Sequence, residues 1–103
     1  MQFGQVMQEI DAFVRSRGWE GADSNRPQTP RNLAASISIE AAELLECFQW
    51  SDEASRADLE NELADVLIYA LRLAQISQID PLEAICRKLE RNRRRQWPQE
   101  DRS

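Results

Sequence analysis

EAAELLECFQW, residues 40–50, combines a helical pattern of apolar residues with regularly spaced acids. Its apolar residues recur at three- and four-residue steps, the period of an α-helix that buries one face. Three glutamates, Glu40, Glu43 and Glu46, stand at three-residue steps in the same stretch. On a helical wheel, Glu40 falls inside the apolar stripe and Glu43 borders it, about 60° away. This helix therefore carries carboxylates on a face that its apolar residues would bury.

A second pair of acids stands on the flank of the next helix. With Leu59 at zero on the wheel, Glu62 falls at about −60° and Asp65 about 60° further round. A buried carboxylate needs a partner, a metal ion or a proton, and the chain contains no histidine. A hard divalent cation bound by oxygen would satisfy all four acids. The pattern predicts a site for Mg²⁺ or Mn²⁺ made by Glu40, Glu43, Glu62 and Asp65. The alternative is that the second and third helices present these acidic faces to water.

Periodicity and capping residues predict four helices and no strand. Together they form an all-α four-helix bundle, a single domain over residues 1–103 with residues 96–103 as a frayed tail. Gly18 is a stop for the first helix, Asn32 an N-cap for the second, and Asp80-Pro81 a start for the fourth. The predicted helices cover about residues 2–17, about 32–50, from either 52 or 57 to 77, and 80 to about 95.

Charge and hydropathy limit the possible partners. The net charge is −5, but residues 1–85 hold 6 basic and 15 acidic residues, whereas residues 86–103 hold 7 basic and 3 acidic. An acidic body argues against a nucleic acid polymer as partner. No apolar run approaches the roughly 20 residues of a membrane span, so we expect a cytoplasmic protein. The centre of the third helix, VLIYAL (66–71), is apolar on nearly all of its faces. A helix of this kind is buried on several sides, which predicts a homo-oligomer that covers it.

Three segments resemble one family of enzymes. PRNLAASISIEAAELLECFQW (30–50), ENELADVLIYALRLA (60–74) and KLERNRRRQWP (88–98) are similar to the MazG-like all-α nucleoside triphosphate pyrophosphohydrolases, and most of all to their dCTP pyrophosphatase branch. The resemblance implies a MazG-like bundle completed by oligomerisation, as a dimer or tetramer. It implies Mg²⁺-dependent hydrolysis of a nucleoside triphosphate to the monophosphate and pyrophosphate, which clears unwanted nucleotides. The four acids would be the catalytic metal ligands, and Glu43 or Glu46 is a candidate for activating water.

The same resemblance implies residues that bind the nucleotide. Lys88 and Asn92 match positions that approach the nucleotide in this family, and Arg95 is a further candidate for the phosphates. The alternative for these residues is a solvated basic helix end that complements the helix dipole.

Aromatic residues are candidates for the base pocket. Trp19 and Trp50 match positions that line this pocket in the dCTP-preferring branch, and Tyr69 lies one turn beyond Asp65. Aromatic rings stack on bases, although plain core packing is the alternative for each of them.

Two departures leave the base preference open. The dCTP-preferring branch carries histidines on the first helix and in the following loop, whereas this chain has none and Ile10 stands at the helix position. We therefore expect a substrate among dCTP and related pyrimidine nucleotides, with a dUTP or broad-specificity enzyme as the alternative. An oligomeric interaction module without enzymatic activity is the alternative from a different class.

Overall fold

The computed structural model describes residues 1–21 and 23–95. Within these residues it contains four helices and no strand, so the prediction of an all-α chain of four helices is confirmed. The predicted frayed tail, residues 96–103, lies outside the described residues. The helices are α1, Phe3–Ser16, α2, Pro30–Glu46, α3, Arg56–Ile76, and α4, Pro81–Arg94.

Helix α2 begins earlier than the sequence predicted. The hydroxyl of Thr29 accepts a hydrogen bond from the backbone N–H of Asn32 at 3.1 Å, so Thr29 is the N-cap and the prediction of Asn32 was wrong. Pro30 occupies the first helical position, where a missing N–H costs nothing. The Asn32 side chain instead donates to the carbonyl oxygen of Pro27 at 3.1 Å. This bond ties the preceding loop to the first turn of α2.

The same helix also ends earlier, at Glu46 rather than near Trp50. After Leu45 the backbone tightens: the N–H groups of Cys47, Phe48 and Gln49 each donate to a carbonyl three residues back, the pattern of a 3₁₀ turn. The α-helix therefore does not continue as far as Trp50. Trp50 consequently lies in the link between α2 and α3, with 89% of its surface exposed.

The starts of α3 and α4 follow the capping residues in the sequence. Ser55 accepts from the N–H of Asp58 at 3.1 Å, which selects the later of the two predicted starts for α3. Asp80 accepts from the N–H groups of Leu82 and Glu83 at 3.0 and 3.1 Å. The predicted Asp80-Pro81 start of α4 is therefore confirmed.

A Schellman motif at the end of α1 sets the position of Trp19. The N–H of Trp19 donates to the carbonyl of Val14 at 3.2 Å, and the N–H of Gly18 donates to that of Arg15 at 3.0 Å. Gly18 has φ +69°, a left-handed conformation that only glycine adopts without strain. The motif turns Trp19 back onto α1, where its ring meets Phe13 edge to face, with centroids 5.7 Å apart.

Helices α1 and α2 both pack on α3. Helix α2 makes the largest contact with α3, and α1 packs on α3 more weakly. The buried apolar residues of the described chain are Ile10, Val14 and Leu33, and Arg72 of α3 is buried as well. Helix α4 has no buried residue, and Leu82, Ile85 and Leu89 on it are about half exposed. No helix in the described part of the chain is both long enough and apolar enough to cross a membrane.

We predict that Gly18→Ala lowers the free energy of unfolding by about 1 kcal/mol, because an alanine at positive φ is strained. A Cβ at Gly18 would meet no atom within 4 Å, so the cost comes from the backbone alone. Gly4→Ala is the matched control, since Gly4 lies within α1 and is equally open. It should leave stability unchanged or raise it slightly. Urea unfolding of the three proteins checks this, and equal stability of wild type and Gly18→Ala would contradict it.

Candidate metal centre and adjoining cavity

The carboxylates predicted to bind a metal lie on the facing sides of α2 and α3. Glu40 and Glu43 come from α2, and Glu62 and Asp65 come from α3, each pair three residues apart. One carboxylate oxygen from each of Glu40, Glu62 and Asp65 lies within 4.8 Å of the other two. All four side chains are partly buried. We call Glu40, Glu62 and Asp65 the acid cluster.

The acid cluster has no positive partner among the described residues. The ion pairs of that part of the chain use other carboxylates, those of Asp11, Glu60, Glu83 and Glu90. Two oxygens, Oε2 of Glu40 and Oε2 of Glu62, are buried without a hydrogen-bond partner. A buried oxygen that is neither bonded nor neutralised is costly, so these two oxygens favour a group that would neutralise them.

Burial and mutual repulsion both favour the protonated form of Glu40 and of Glu62. Burial raises the pKa of Glu40 to about 7, helped by a hydrogen bond with Glu43 and by the charges of Glu43, Asp65 and Glu62. Burial also raises the pKa of Glu62, and the charges of Glu43 and Asp65 add to the effect. A bound cation would reverse this balance, because it favours the ionised carboxylates.

The donor set fits a hard divalent cation. Two oxygens bound to the same Mg²⁺ lie up to about 4 Å apart, and the oxygens of the acid cluster all lie within 4.8 Å of one another. Carboxylate oxygens are the ligands that Mg²⁺ and Mn²⁺ prefer, whereas zinc favours nitrogen and sulfur. The two unpartnered oxygens, on Glu40 and Glu62, are the atoms that such an ion would satisfy.

The other two acids of α2 have different positions. Glu43 stands outside the acid cluster but within hydrogen-bonding reach of Glu40 and Glu62. Glu46 is exposed and is the last residue of α2. Of the two candidates for activating water, Glu43 therefore lies beside the cluster and Glu46 does not.

A cavity of about 450 Å³ adjoins the acid cluster. Asp65 belongs to both, and it connects the acids to an otherwise mainly apolar space between α1 and α3. Ile10 contributes to the apolar wall. That wall includes Val6, Ile10, Phe13, Trp19, Ile68 and Tyr69. Of the predicted base-pocket residues, the structure thus places Trp19 and Tyr69 together.

The cavity also has polar residues that the sequence analysis missed. Arg72 and Gln28 line it, and Nε of Arg72 donates to Oε1 of Gln28 at 3.3 Å. Nη1 of Arg72 donates to Asp11 of α1 at 2.8 Å. Arg72 stands seven residues after Asp65, on the same side of α3, in a run that is otherwise nearly apolar. An arginine in such a run was the available signal, since a buried charge is seldom without a partner.

The remaining predicted nucleotide ligands lie away from this cavity within the described chain. Trp50 is in the exposed link after α2. Lys88 and Asn92 are on α4, which packs little on the other helices, and Arg95 caps its C-terminus. None of these four lines the cavity beside the acid cluster. Their roles remain predictions that depend on how α4 and the link meet other surfaces.

Known proteins share both the sequence pattern and the fold. The model of the MazG-like family matches residues 35–103. The dCTP pyrophosphatase 1 of Rattus norvegicus and that of Homo sapiens are each 37% identical to this chain over 93 residues, 81% of this chain and 52% of the relative. This chain therefore spans about half the length of the curated relatives it matches. The crystal structure of a pyrophosphatase from Archaeoglobus fulgidus superposes with a TM-score of 0.77 at 42% identity, covering 88% of each chain.

We predict that the metal-free protein loses stability as pH rises. A carboxyl whose pKa is higher in the folded state than in the unfolded state favours folding most when it is protonated. Raising the pH from about 4.5 through about 7 ionises Glu40, so the free energy of unfolding should fall over that range. Urea unfolding in EDTA at several pH values measures this slope.

Glu40→Gln should reduce the slope, because the amide does not titrate. Glu60→Gln, which removes an exposed acid on α3, should leave it as in wild type. A slope that is the same in Glu40→Gln and in wild type would show that burial of Glu40 does not cause it.

Proposed function

Since the chain belongs to the MazG-like family, we propose that it is a Mg²⁺-dependent nucleoside triphosphate pyrophosphohydrolase. Its substrate would be dCTP or a related pyrimidine nucleotide, and its products the monophosphate and pyrophosphate. The names of its relatives support this reaction, as two are dCTP pyrophosphatases and one is a pyrophosphatase. The fit of the donor set supports the metal, and Mn²⁺ would serve in the same site.

The observation that carries this proposal is the junction at Asp65. The same residue belongs to a cluster of three carboxylates and to a mainly apolar cavity. A nucleotide has a matching division, with a polyanionic triphosphate at one end and a flat, weakly polar base at the other. Aromatic walls suit a base, and a metal held by carboxylates suits phosphates. The two halves of the site thus correspond to the two halves of the substrate.

The residues divide the chemical work. Glu40, Glu62 and Asp65 would hold Mg²⁺, which would supply positive charge to neutralise the phosphates and lower the pKa of a coordinated water. Glu43 orients the attacking water and accepts its proton, because it lies beside the cluster and outside the three-oxygen set. The oxygen of the water bonds to one phosphorus of the α–β bridge, the bond from that phosphorus to the bridging oxygen breaks, and the bridging oxygen keeps the electron pair as the monophosphate and pyrophosphate separate.

Trp19 and Tyr69 bind the base, since both line the cavity beside Asp65. The Schellman motif and the contact with Phe13 hold the Trp19 ring in place, which lowers the entropic cost of binding a base against it.

A homo-oligomer, a dimer or a tetramer, completes the site. In this proposal the exposed apolar residues of α3 and α4, such as Leu67 and Ile85, pack against another copy. Exposed apolar surface of this extent is typical of an interface. The same assembly brings Lys88, Asn92 and Arg95 of α4, and Trp50 of the link, to the nucleotide of a neighbouring copy.

A non-enzymatic interaction module remains the rival, and the exposed apolar surface alone would be compatible with it. A module has no need of buried carboxylate oxygens without partners, and those of Glu40 and Glu62 favour the enzyme. A dUTP or broad-specificity enzyme would use the same acid cluster, so only a panel of nucleotides separates it from a dCTP enzyme.

We predict that the purified protein releases pyrophosphate from at least one pyrimidine deoxynucleotide when Mg²⁺ is present, and none in EDTA. Glu62→Gln should lower kcat on the order of 100-fold or more, because the charge that holds the metal is lost. Glu60→Gln, two residues away and exposed, is the matched control and should retain activity. The assay runs over dCTP, dUTP, dTTP, the purine deoxynucleotides and the ribonucleotides. Full activity of Glu62→Gln would refute the proposed centre.

We also predict that Mg²⁺ alone raises the melting temperature of the wild type. Binding to the native state stabilises it, and at saturation the rise should be about 5 °C or more for a domain of this size. Glu40→Gln should melt at a higher temperature than wild type in EDTA, because it removes a repelling buried charge. It should respond little to Mg²⁺. Equal shifts in wild type and Glu40→Gln would place the bound ion elsewhere.

A further inference from the structure

Arg72 is fixed from three sides at the edge of the cavity. Its Nη1 donates to Oδ1 of Asp11 at 2.8 Å and to Oε1 of Gln75 at 2.9 Å. The amide nitrogen of Gln75 in turn donates to the carbonyl of Met7 at 2.6 Å. The Arg72 side chain is only 8% exposed. The guanidinium therefore has one orientation, set by α1 and by its own helix.

That orientation determines which end of the Gln28 amide faces the cavity. Arginine can only donate hydrogen bonds, so its Nε requires the carbonyl oxygen of Gln28 as its partner, at 3.3 Å. The amide nitrogen of Gln28 is then directed away from Arg72. It bonds to no group in the described part of the chain, and Gln28 lines both this cavity and a neighbouring one of about 300 Å³. The group left for a ligand is an NH₂ with donors only.

We propose that Gln28 is a specificity-determining residue that donates a hydrogen bond to a carbonyl oxygen of the pyrimidine base, and that Arg72 is its positioning residue. The inference rests on the proposed function, since it places the base in the cavity between Trp19 and Tyr69. A glutamine is normally free to turn its amide and accept either a donor or an acceptor. Arg72 removes that freedom. A base edge that presents an amino group to Gln28 is therefore disfavoured, because two donors would meet.

The experiment tests the carbonyl directly by replacing its oxygen with sulfur, a weaker acceptor. The probes are dUTP, 2-thio-dUTP and 4-thio-dUTP, with dCTP and 2-thio-dCTP beside them, and the readout is kcat/KM for pyrophosphate release. In wild type, sulfur at one of the two positions should lower kcat/KM about 3- to 10-fold, the value of one neutral hydrogen bond. We call this decrease the thio penalty. In Gln28→Ala, kcat/KM for the oxygen substrate should fall by a similar factor and the thio penalty at that position should disappear.

A second set of variants separates positioning from mere structure. Arg72→Lys keeps the charge beside Asp11 but loses the Nε donor, so the amide of Gln28 is released and the thio penalty should shrink. In the double variant with Gln28→Ala, Arg72→Lys should cause no further change in that penalty. The matched control is Arg15→Lys, since Arg15 also bonds to Asp11 but is exposed. It should keep the wild-type penalty.

Three results would overturn the inference. Thio penalties that are the same in wild type and in Gln28→Ala would show that Gln28 contacts neither carbonyl. A change in the penalty with Arg72→Lys that persists in the double variant would show that Arg72 does not act through Gln28. Wild type that cleaves no nucleotide would remove the inference together with the proposed function. If wild type is active and its thio penalties are the same in Gln28→Ala, the inference fails while the proposed function stands.

Discussion

The candidate site depends on carboxylates that are held between two packed helices and have no positive partner in residues 1–21 and 23–95. The packing of α2 on α3 encloses oxygens of Glu40 and Glu62 that have no hydrogen bond. Burial and repulsion raise the pKa of both acids, so the metal-free fold gives up stability there. Destabilising arrangements of this kind are typical of functional sites. Here a divalent cation would neutralise the carboxylates and restore the lost stability.

Helix α3 connects the parts of the site. Glu62, Asp65, Tyr69 and Arg72 stand at steps of three, four and three residues, on one side of the helix. They extend about 15 Å along its axis. In order, they contribute to the acid cluster, to the junction with the cavity, to the aromatic wall and to the polar edge. A rigid helix thus sets the distance between the metal end and the base end of the proposed site.

The opposite wall of the cavity depends on the shape of the chain between helices. The left-handed turn at Gly18 returns Trp19 to α1, and the loop before α2 carries Gln28 to Arg72. The ion pair of Arg72 with Asp11 joins α1 to α3 on the same side. Arg15 and Arg72 together hold the pKa of Asp11 below its usual range, so this acid stays ionised near neutral pH, whereas burial raises the pKa of Glu40 and of Glu62. Asp11 thus differs in pKa from Glu40 and Glu62 because their partners differ.

The sequence alone determined the number and type of the helices, the capping at Asp80, the turn at Gly18 and the placement of two acids on each of α2 and α3. These features depend on neighbours within a few residues, which periodicity and capping rules describe well. Only the tertiary structure decided that three of the four acids bring oxygens together while Glu43 stands beside them. It also decided that Trp50 leaves α2, and that Arg72 orients Gln28. These depend on the distance and rotation between helices and on the course of loops, which arise from packing across the chain and leave no local pattern.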